Sequence, residues 1–187
     1  FEKTLSGAIL KLGFEKTVIQ ILYPFLEKTG VLWQTGTINP AQEHFISNLI
    51  RQKLIIAIDG QIKSQSETSN SFVLYLPENE LHELGLLFYS YLIRKNGHQV
   101  IYLGQSVPFE DLKEVLEVRH ADFLFTSFIA AMAPEQLPSY IKKLSDTFAH
   151  KKILVTGHQI IREHLSFPKN VIHIPDTEHL KHFLASL

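Results

Sequence analysis

Residues 71–104 read SFVLYLPENELHELGLLFYSYLIRKNGHQVIYLG, in which two short apolar runs stand on either side of a long amphipathic segment. The runs Phe72–Leu76 and Gln99–Leu103 predict strands, since they are short and rich in β-branched and aromatic residues. The segment 82–96 is long enough to predict a helix. Strand, helix and strand in this order predict a parallel βαβ unit.

The same alternation continues to the end of the chain. Further strands are predicted at Phe123–Thr126, Ile153–Thr156 and Val171–Ile174, and further helices at 108–119, 134–148, 159–165 and 176–186. Five strands alternating with five helices predict an α/β fold with a parallel, doubly wound sheet. We expect the flavodoxin-like (Rossmann-like) strand order 2-1-3-4-5, because the other common order needs a sixth strand.

The first third of the chain has helical periodicity only. One apolar stripe stops at Gly13, and a second, with an expected kink at Pro24, stops at Gly30. A third helix begins with Asn39 as its cap and Pro40 in its first position. These features predict a small helical bundle.

The change of period divides the chain into domains. We expect a helical bundle over residues 1–62 and an α/β domain over 72–187. Between them, 63–71 is a predicted linker, because Lys63–Asn70 is polar and has no apolar period.

Composition limits the class of protein. The chain has 187 residues, 45% of them hydrophobic, and a formal charge of −1, so it lacks the basic excess of a nucleic-acid-binding domain. Any contact with DNA must therefore come from another segment, and a chain that begins with Phe1 reads as an excised fragment without an N-terminal domain. There is no cysteine, no signal peptide and no membrane span, which is consistent with a reducing cytoplasm.

Three distinctive turns follow predicted strands one, three and four. They are ELHELG (80–85), TSFI (126–129) and TGHQ (156–159), and the topology places all three at the rim where doubly wound sheets bind ligands. Taken singly, His82 is typical of a solvated or capping residue, Ser127 of a turn cap and Gly157 of a tight turn. Their common location favours a binding site.

The chemistry of His82 indicates a metal ligand. In the first turn of a helix the dipole would disfavour imidazolium, and Glu80 could accept the other ring N–H. One histidine cannot hold a bare ion. A metal already carried in a macrocycle needs only an axial ligand, so a corrin or a haem fits better than zinc.

Two patterns extend this interpretation to a family. The first is Glu80-x-His82-x-x-Gly85, 41 residues, Ser127-x-Ile129, 27 residues and Gly157-His158. It resembles the cobalamin-binding signature Asp-x-His-x-x-Gly, Ser-x-Leu and Gly-Gly. The second is Trp33, nine residues and Glu43-His44. It is similar to a pattern in MerR-type transcriptional regulators with a C-terminal cobalamin-binding domain, many of them light-responsive.

The resemblance implies a role for each matching residue. His82 would be the lower axial cobalt ligand with Glu80 behind it, and Gly85 would let the helix approach the corrin. The Ser127-x-Ile129 and Gly157 motifs would line the slot for the displaced nucleotide tail. Trp33, with Glu43 and His44 beside it, would cover the upper face that carries the adenosyl group.

The resemblance also implies a function. The chain would be the adenosylcobalamin-binding sensor and oligomerisation region of a regulator, forming a dimer or tetramer, with DNA bound by a missing N-terminal domain and no enzyme activity of its own. A corrinoid carrier module of a methyltransferase and a degenerate fold that only oligomerises are the alternatives. Four positions depart from the family: Glu80 for Asp, Ile129 for Leu, His158 for the second Gly, and Gln34 where photoreceptors carry a histidine.

Overall fold

The computed structural model describes residues 1–61, 69–130, 132–162 and 165–187, without the side chains of Trp33 and Gln34. Two compact units comprise Phe1–Gly60 and Gln61–Leu187. Most of the predicted linker, residues 63–68, lies outside the described residues, so its bounds stay a prediction. Its last residue, Ser71, is already the first residue of a strand.

The first unit is helical. Its elements are α1 (Glu2–Leu12), α2 (Phe14–Thr17), a π-helical segment (Val18–Leu22), α3 (Tyr23–Gln34) and α4 (Pro40–Asp59). The buried apolar side chains of this unit are Leu5, Val18, Leu22, Ile50 and Leu54. The stripes read from the sequence supply Leu5, Val18 and Leu22 of this core, whereas Leu12 and Ile21 of the same stripes are exposed.

The ends of these helices follow the sequence in part. The predicted stop at Gly13 is confirmed, with φ +82°. A π-helical segment precedes Pro24, which has no N–H to donate to the carbonyl four residues back. The kink expected at Pro24 stays a prediction. The predicted end at Gly30 is wrong, because α3 continues to Gln34, and one helical glycine costs only about 1 kcal/mol.

The start of α4 is confirmed. The Asn39 side chain accepts from the backbone N–H of Gln42 at 2.9 Å, and the Asn39 N–H donates to Gln42 Oε1 at 3.1 Å. Pro40 occupies the first helical position, where a missing N–H leaves no bond unmade. These reciprocal bonds form a capping box.

The second unit is a five-stranded parallel sheet with the strand order β2-β1-β3-β4-β5, as predicted. The strands are β1 (Ser71–Pro77), β2 (Gln99–Val107), β3 (Phe123–Ser127), β4 (Lys152–Thr156) and β5 (Val171–His173). The helices are α5 (Leu84–Lys95), α6 (Phe109–Val118), α7 (Leu137–Thr147), α8 (His158–Arg162) and α9 (Thr177–Ala185). None of the helices in the described part of the chain is long and apolar enough to cross a membrane.

The two central strands explain the long apolar runs of the sequence. Phe72–Pro77 of β1 and all of β3 are buried, as expected for strands covered on both faces. Because every strand pair is parallel, Pro77, Ser127 and Thr156 end at the same rim of the sheet. The three predicted turns start there.

Candidate functional site

Glu80, in the loop between β1 and α5, joins the first two turns. Its side chain is 1% exposed, and Oε2 accepts the backbone N–H groups of Ile129 and Ala130, each at 2.8 Å. Oε1 accepts those of Leu81 at 3.1 Å and His82 at 3.2 Å. One buried carboxylate therefore ties the loop after β1 to the loop after β3.

The same carboxylate orients His82. Glu80 Oε1 lies 2.6 Å from Nδ1 of His82, whose side chain is 61% exposed. Burial raises the pKa of Glu80, but the hydrogen bonds from His82, Ala130 and Ile129 outweigh it and lower the pKa to about 2. An ionised carboxylate only accepts, so Nδ1 carries the proton, and the lone pair of the neutral ring is on Nε2.

His82 lies before the helix, and the prediction that it occupies the first helical turn is wrong. Helix α5 begins at Leu84 with Glu83 as the N-cap residue. The backbone N–H groups of Leu81 and His82 bond to the Glu80 side chain, which holds this segment in a turn. The tautomer of His82 is therefore set by Glu80.

Gly157 and Phe128 connect the second turn to the third. Gly157 has φ +109°, and a Cβ there would lie 2.3 Å from the Phe128 carbonyl oxygen and 2.7 Å from its nitrogen. The N–H of Phe128 donates to the Thr156 carbonyl at 2.9 Å, and the N–H of Gln159 donates to the Phe128 carbonyl at 3.1 Å. Only glycine fits this close backbone approach.

The remaining predicted residues of the rim differ in surroundings. Ser127 is buried at the end of β3 and pairs in register with Thr156. Ile129 is half-buried and contributes its backbone N–H to Glu80. A Cβ on Gly85 would have nothing within 4 Å, so the space beside it is open. His158 is exposed as the first residue of α8.

The residues predicted to cover the cofactor lie in the helical unit. Trp33 belongs to the last turn of α3, and its side chain and that of Gln34 lie outside the described atoms. Glu43 and His44 lie in the first turns of α4, where Glu43 Oε2 is 2.8 Å from His44 Nδ1 and the His44 side chain is 71% exposed. The covering role of all three stays a prediction.

Sequence reasoning missed the backbone groups at the centre of the site. The Phe128 peptide and the N–H of Ala130 hold the three turns together, and backbone groups leave no mark on residue identity. It also missed that β2 continues to Val107, beyond the predicted end at Leu103. Gly104 lies inside β2 and does not end it, and a glycine within a strand was the available signal for a bulge.

The donor set of the site suits a metal that arrives inside a macrocycle. No group of three or more His, Asp or Glu side chains that could hold a bare ion occurs among the described residues. A single exposed imidazole with a buried carboxylate behind it can supply one axial ligand. The open space at Gly85 is compatible with a flat ligand lying against this end of α5.

Comparison with known families agrees with this chemistry. Residues 1–58 match the family described as the B12 binding domain. This match spans nearly all of the helical unit, Phe1–Gly60. Together with the relatives below, this match confirms the predicted resemblance to the cobalamin-binding region of a transcriptional regulator.

Two curated relatives come from Myxococcus xanthus. The chain is 29% identical over 149 residues to the HTH-type transcriptional repressor CarH, covering 80% of this chain and 49% of the relative. It is 31% identical over 163 residues to the HTH-type transcriptional repressor CarA, covering 87% of this chain and 54% of the relative. The chain thus spans about half the length of these relatives.

Solved structures agree on the fold. The monomethylamine corrinoid protein of Methanosarcina barkeri superposes with a TM-score of 0.72 at 14% identity, covering 100% of this chain and 90% of that one. The methanol:cobalamin methyltransferase complex MtaBC of the same organism gives 0.54 at 15% identity, covering 99% and 73%. At such low identity these likenesses show the fold alone.

Proposed function

We propose that this chain binds adenosylcobalamin as the sensor region of a transcriptional regulator, with His82 as the lower axial ligand of cobalt. The observation that carries the proposal is the 2.6 Å bond between Glu80 Oε1 and His82 Nδ1, made by a carboxylate that also accepts two N–H groups from the loop after β3. This arrangement fixes the ring and puts the lone pair of neutral His82 on Nε2.

The other rim residues would shape the space around the ligand. Gly85 would leave room for the corrin beside α5, because nothing lies within 4 Å of the position that a Cβ would take there. The loops of Ser127-x-Ile129 and Gly157 would border the slot for the nucleotide tail. When bound, cobalamin would supply a cobalt ion that accepts an axial nitrogen and, in its adenosyl form, a light-sensitive cobalt–carbon bond.

The helical unit would cover the opposite face of the ligand. The support is the match of residues 1–58 to the B12 binding domain and the Trp33, nine residues, Glu43-His44 pattern within it. Trp33 would lie against the adenosyl group, with Glu43 and His44 beside it. Aromatic side chains provide a large flat surface for such a contact.

The output would be a change in DNA binding. Cofactor binding, or light acting on it, would shift the equilibrium between monomer and a dimer or tetramer. DNA would be bound by a segment outside this chain, because both curated relatives are named HTH-type repressors and this chain spans about half of them. We expect such a regulator to be cytoplasmic.

A corrinoid carrier in methyl transfer is the second candidate. It shares the fold, as the Methanosarcina barkeri structures illustrate, but at 14% and 15% identity. The repressors at 29% and 31% identity favour the regulator, and neither is described as an enzyme. Methyl transfer from bound methylcobalamin to a thiol through a partner enzyme would support the carrier instead.

Mixing with adenosylcobalamin in the dark tests the proposal. The corrinoid absorbance should elute with the wild-type protein on gel filtration, and illumination with green light should change the spectrum and the elution volume together. Absence of co-elution would contradict the proposal. It would favour the remaining alternative, a degenerate fold that has lost its cofactor and only oligomerises.

A further inference from the structure

The last part of β2 runs beside the loop that carries His82. The pairing of β1 with β2 shifts register between Leu74 and Tyr75 and again between Tyr75 and Pro77. Gly104 and Ser106 both have positive φ, +82° and +52°. These irregularities bend the edge strand at the point where it passes the β1–α5 loop.

Ser106 contacts the loop on the N-terminal side of His82. Its backbone N–H donates to the Glu80 carbonyl at 3.1 Å, and its hydroxyl accepts the N–H of Asn79 at 3.0 Å. Ser106 and Asn79 are the non-glycine residues with positive φ in the described chain. Such conformations persist where the surroundings hold them, and here each residue holds the other.

Gln105 and Tyr102 contact the residues on either side of His82. Gln105 is exposed, yet its Nε2 donates to the Leu81 carbonyl at 2.6 Å. The hydroxyl of Tyr102 donates to Glu83 Oε2 at 3.0 Å, and Glu83 is buried. The backbone before His82 and the side chain after it are therefore both bonded to β2.

The loop is thus held from two directions. Glu80 bonds inward to Ile129 and Ala130 of the loop after β3, while β2 bonds to the loop from the edge of the sheet. A ligating side chain that is itself 61% exposed has little packing of its own to fix it. Its geometry depends on the bond to Glu80 and on the backbone that carries it.

We propose that Tyr102, Gln105 and Ser106, here named the β2 brace, are positioning residues that hold the His82 loop in the conformation required for axial ligation of a corrinoid. The brace lies outside the cobalamin signature, and the bonds given for it join the residues before and after His82. The ligand part of this inference rests on the proposed function, whereas the effect on the loop does not.

Hydrogen exchange in the cofactor-free protein tests the effect on the loop. Gln105→Ala and Tyr102→Phe each remove one bond, and the amide protons of Leu81 and His82 should then exchange roughly 3–10-fold faster at constant pH. Gln99→Ala is the matched control, because Gln99 lies at the other end of β2 and its Nε2 donates to Ser69 Oγ at 3.2 Å. It should leave these two amides unchanged.

Tyr102→Phe keeps the ring and guards against a folding defect, and exchange of the β3 and β4 amides in all variants reports on the global fold. Unchanged exchange at Leu81 and His82 in both brace variants would overturn the proposal. So would equal acceleration in Gln99→Ala.

Binding of adenosylcobalamin tests the consequence for the ligand. The Gln105→Ala, Tyr102→Phe double variant should bind about tenfold more weakly than wild type, with a larger fraction of the corrinoid keeping its own base on cobalt, as read from the absorbance spectrum. If the double variant binds adenosylcobalamin with the same affinity and the same spectrum as wild type, the positioning role is refuted. A wild-type protein that binds no corrinoid would refute the proposed function and the ligand part of the inference, while the exchange data would still decide whether the brace holds the loop.

Discussion

Glu80 and His82 form a hydrogen bond of 2.6 Å in which the acceptor is 1% exposed and the imidazole is 61% exposed. The chain contains a useful counterpart at the start of α9, where Asp176 Oδ1 lies 2.8 Å from Nδ1 of His179. There the imidazole is again 61% exposed, but the carboxylate is 56% exposed. The buried partner and its two N–H donors from the loop after β3 distinguish the candidate ligand from an ordinary surface pair.

Replacing Glu80 with Gln should weaken both the fold and the site. The amide offers one acceptor where the carboxylate has two, so its NH2 group would face either His82 or the N–H groups of Ile129 and Ala130. We expect a loss of about 1–3 kcal/mol in the free energy of unfolding, measured in urea. Cobalamin affinity should fall roughly 10–100-fold.

Asp176→Asn is the matched control for this change. Its carboxylate also bonds a histidine ring and caps α9 through the His179 N–H, but on the surface. Asn caps a helix about as well as Asp, so the change should cost at most about 1 kcal/mol through the lost charge at the helix N-terminus and should leave cobalamin binding unchanged. Equal affinity in Glu80→Gln and wild type would contradict the role given to the buried carboxylate.

Glu80 also predicts a dependence of stability on pH. Its pKa is lowered from 4.5 to about 2 in the folded protein, so the folded state binds this proton more weakly than the unfolded state. The contribution to stability is therefore fully present above about pH 4.5 and is lost as the pH falls toward 2, with an upper size of about 3 kcal/mol. Urea unfolding between pH 5 and pH 2.5 should show a smaller loss in Glu80→Gln than in wild type. Parallel curves for the two proteins would show that another group is responsible.

Gly157→Ala should destabilise the α/β unit. Its Cβ would lie 2.3 Å from the Phe128 carbonyl oxygen at a φ of +109°, so two loops would have to separate. We expect a loss of more than about 2 kcal/mol in the free energy of unfolding. A change below about 0.5 kcal/mol would mean that the contact between these loops yields easily.

Gly85→Ala should separate stability from binding. Nothing lies within 4 Å of the added methyl group, and Gly85 is in the first turn of α5, so the cofactor-free protein should gain up to about 1 kcal/mol. If a corrin occupies this space, cobalamin affinity should fall in the same variant. Calorimetric melting of the cofactor-free protein and a binding titration measure the two effects. Unchanged affinity would contradict a corrin bound beside Gly85.

The sequence predicted the sheet well because its central strands are buried on both faces. Short, continuously apolar runs such as those around Phe72 and Phe123 predict interior strands. The alternation of strands and helices then leaves few possible topologies. Asn39 and Pro40 were equally decisive, since a capping residue followed by proline has one common meaning at a helix start.

The rim was harder to predict because side chains and backbone exchange roles there. The pattern around His82 suggested a helical residue, but the Glu80 side chain bonds to the N–H groups of Leu81 and His82 and delays the helix to Leu84. The site also depends on the N–H of Ala130, which any residue except proline would supply. Spacing predicted the residues, and the structure gives their bonds.

The most direct measurement is the absorbance spectrum of adenosylcobalamin bound in the dark to wild-type protein, His82→Ala and His179→Ala. We predict that wild type and His179→Ala give the same spectrum, with a protein imidazole on cobalt, and that His82→Ala binds at least roughly tenfold more weakly or shows a corrinoid without that ligand. The same spectrum and affinity in all three proteins would contradict the assignment of His82 as the cobalt ligand.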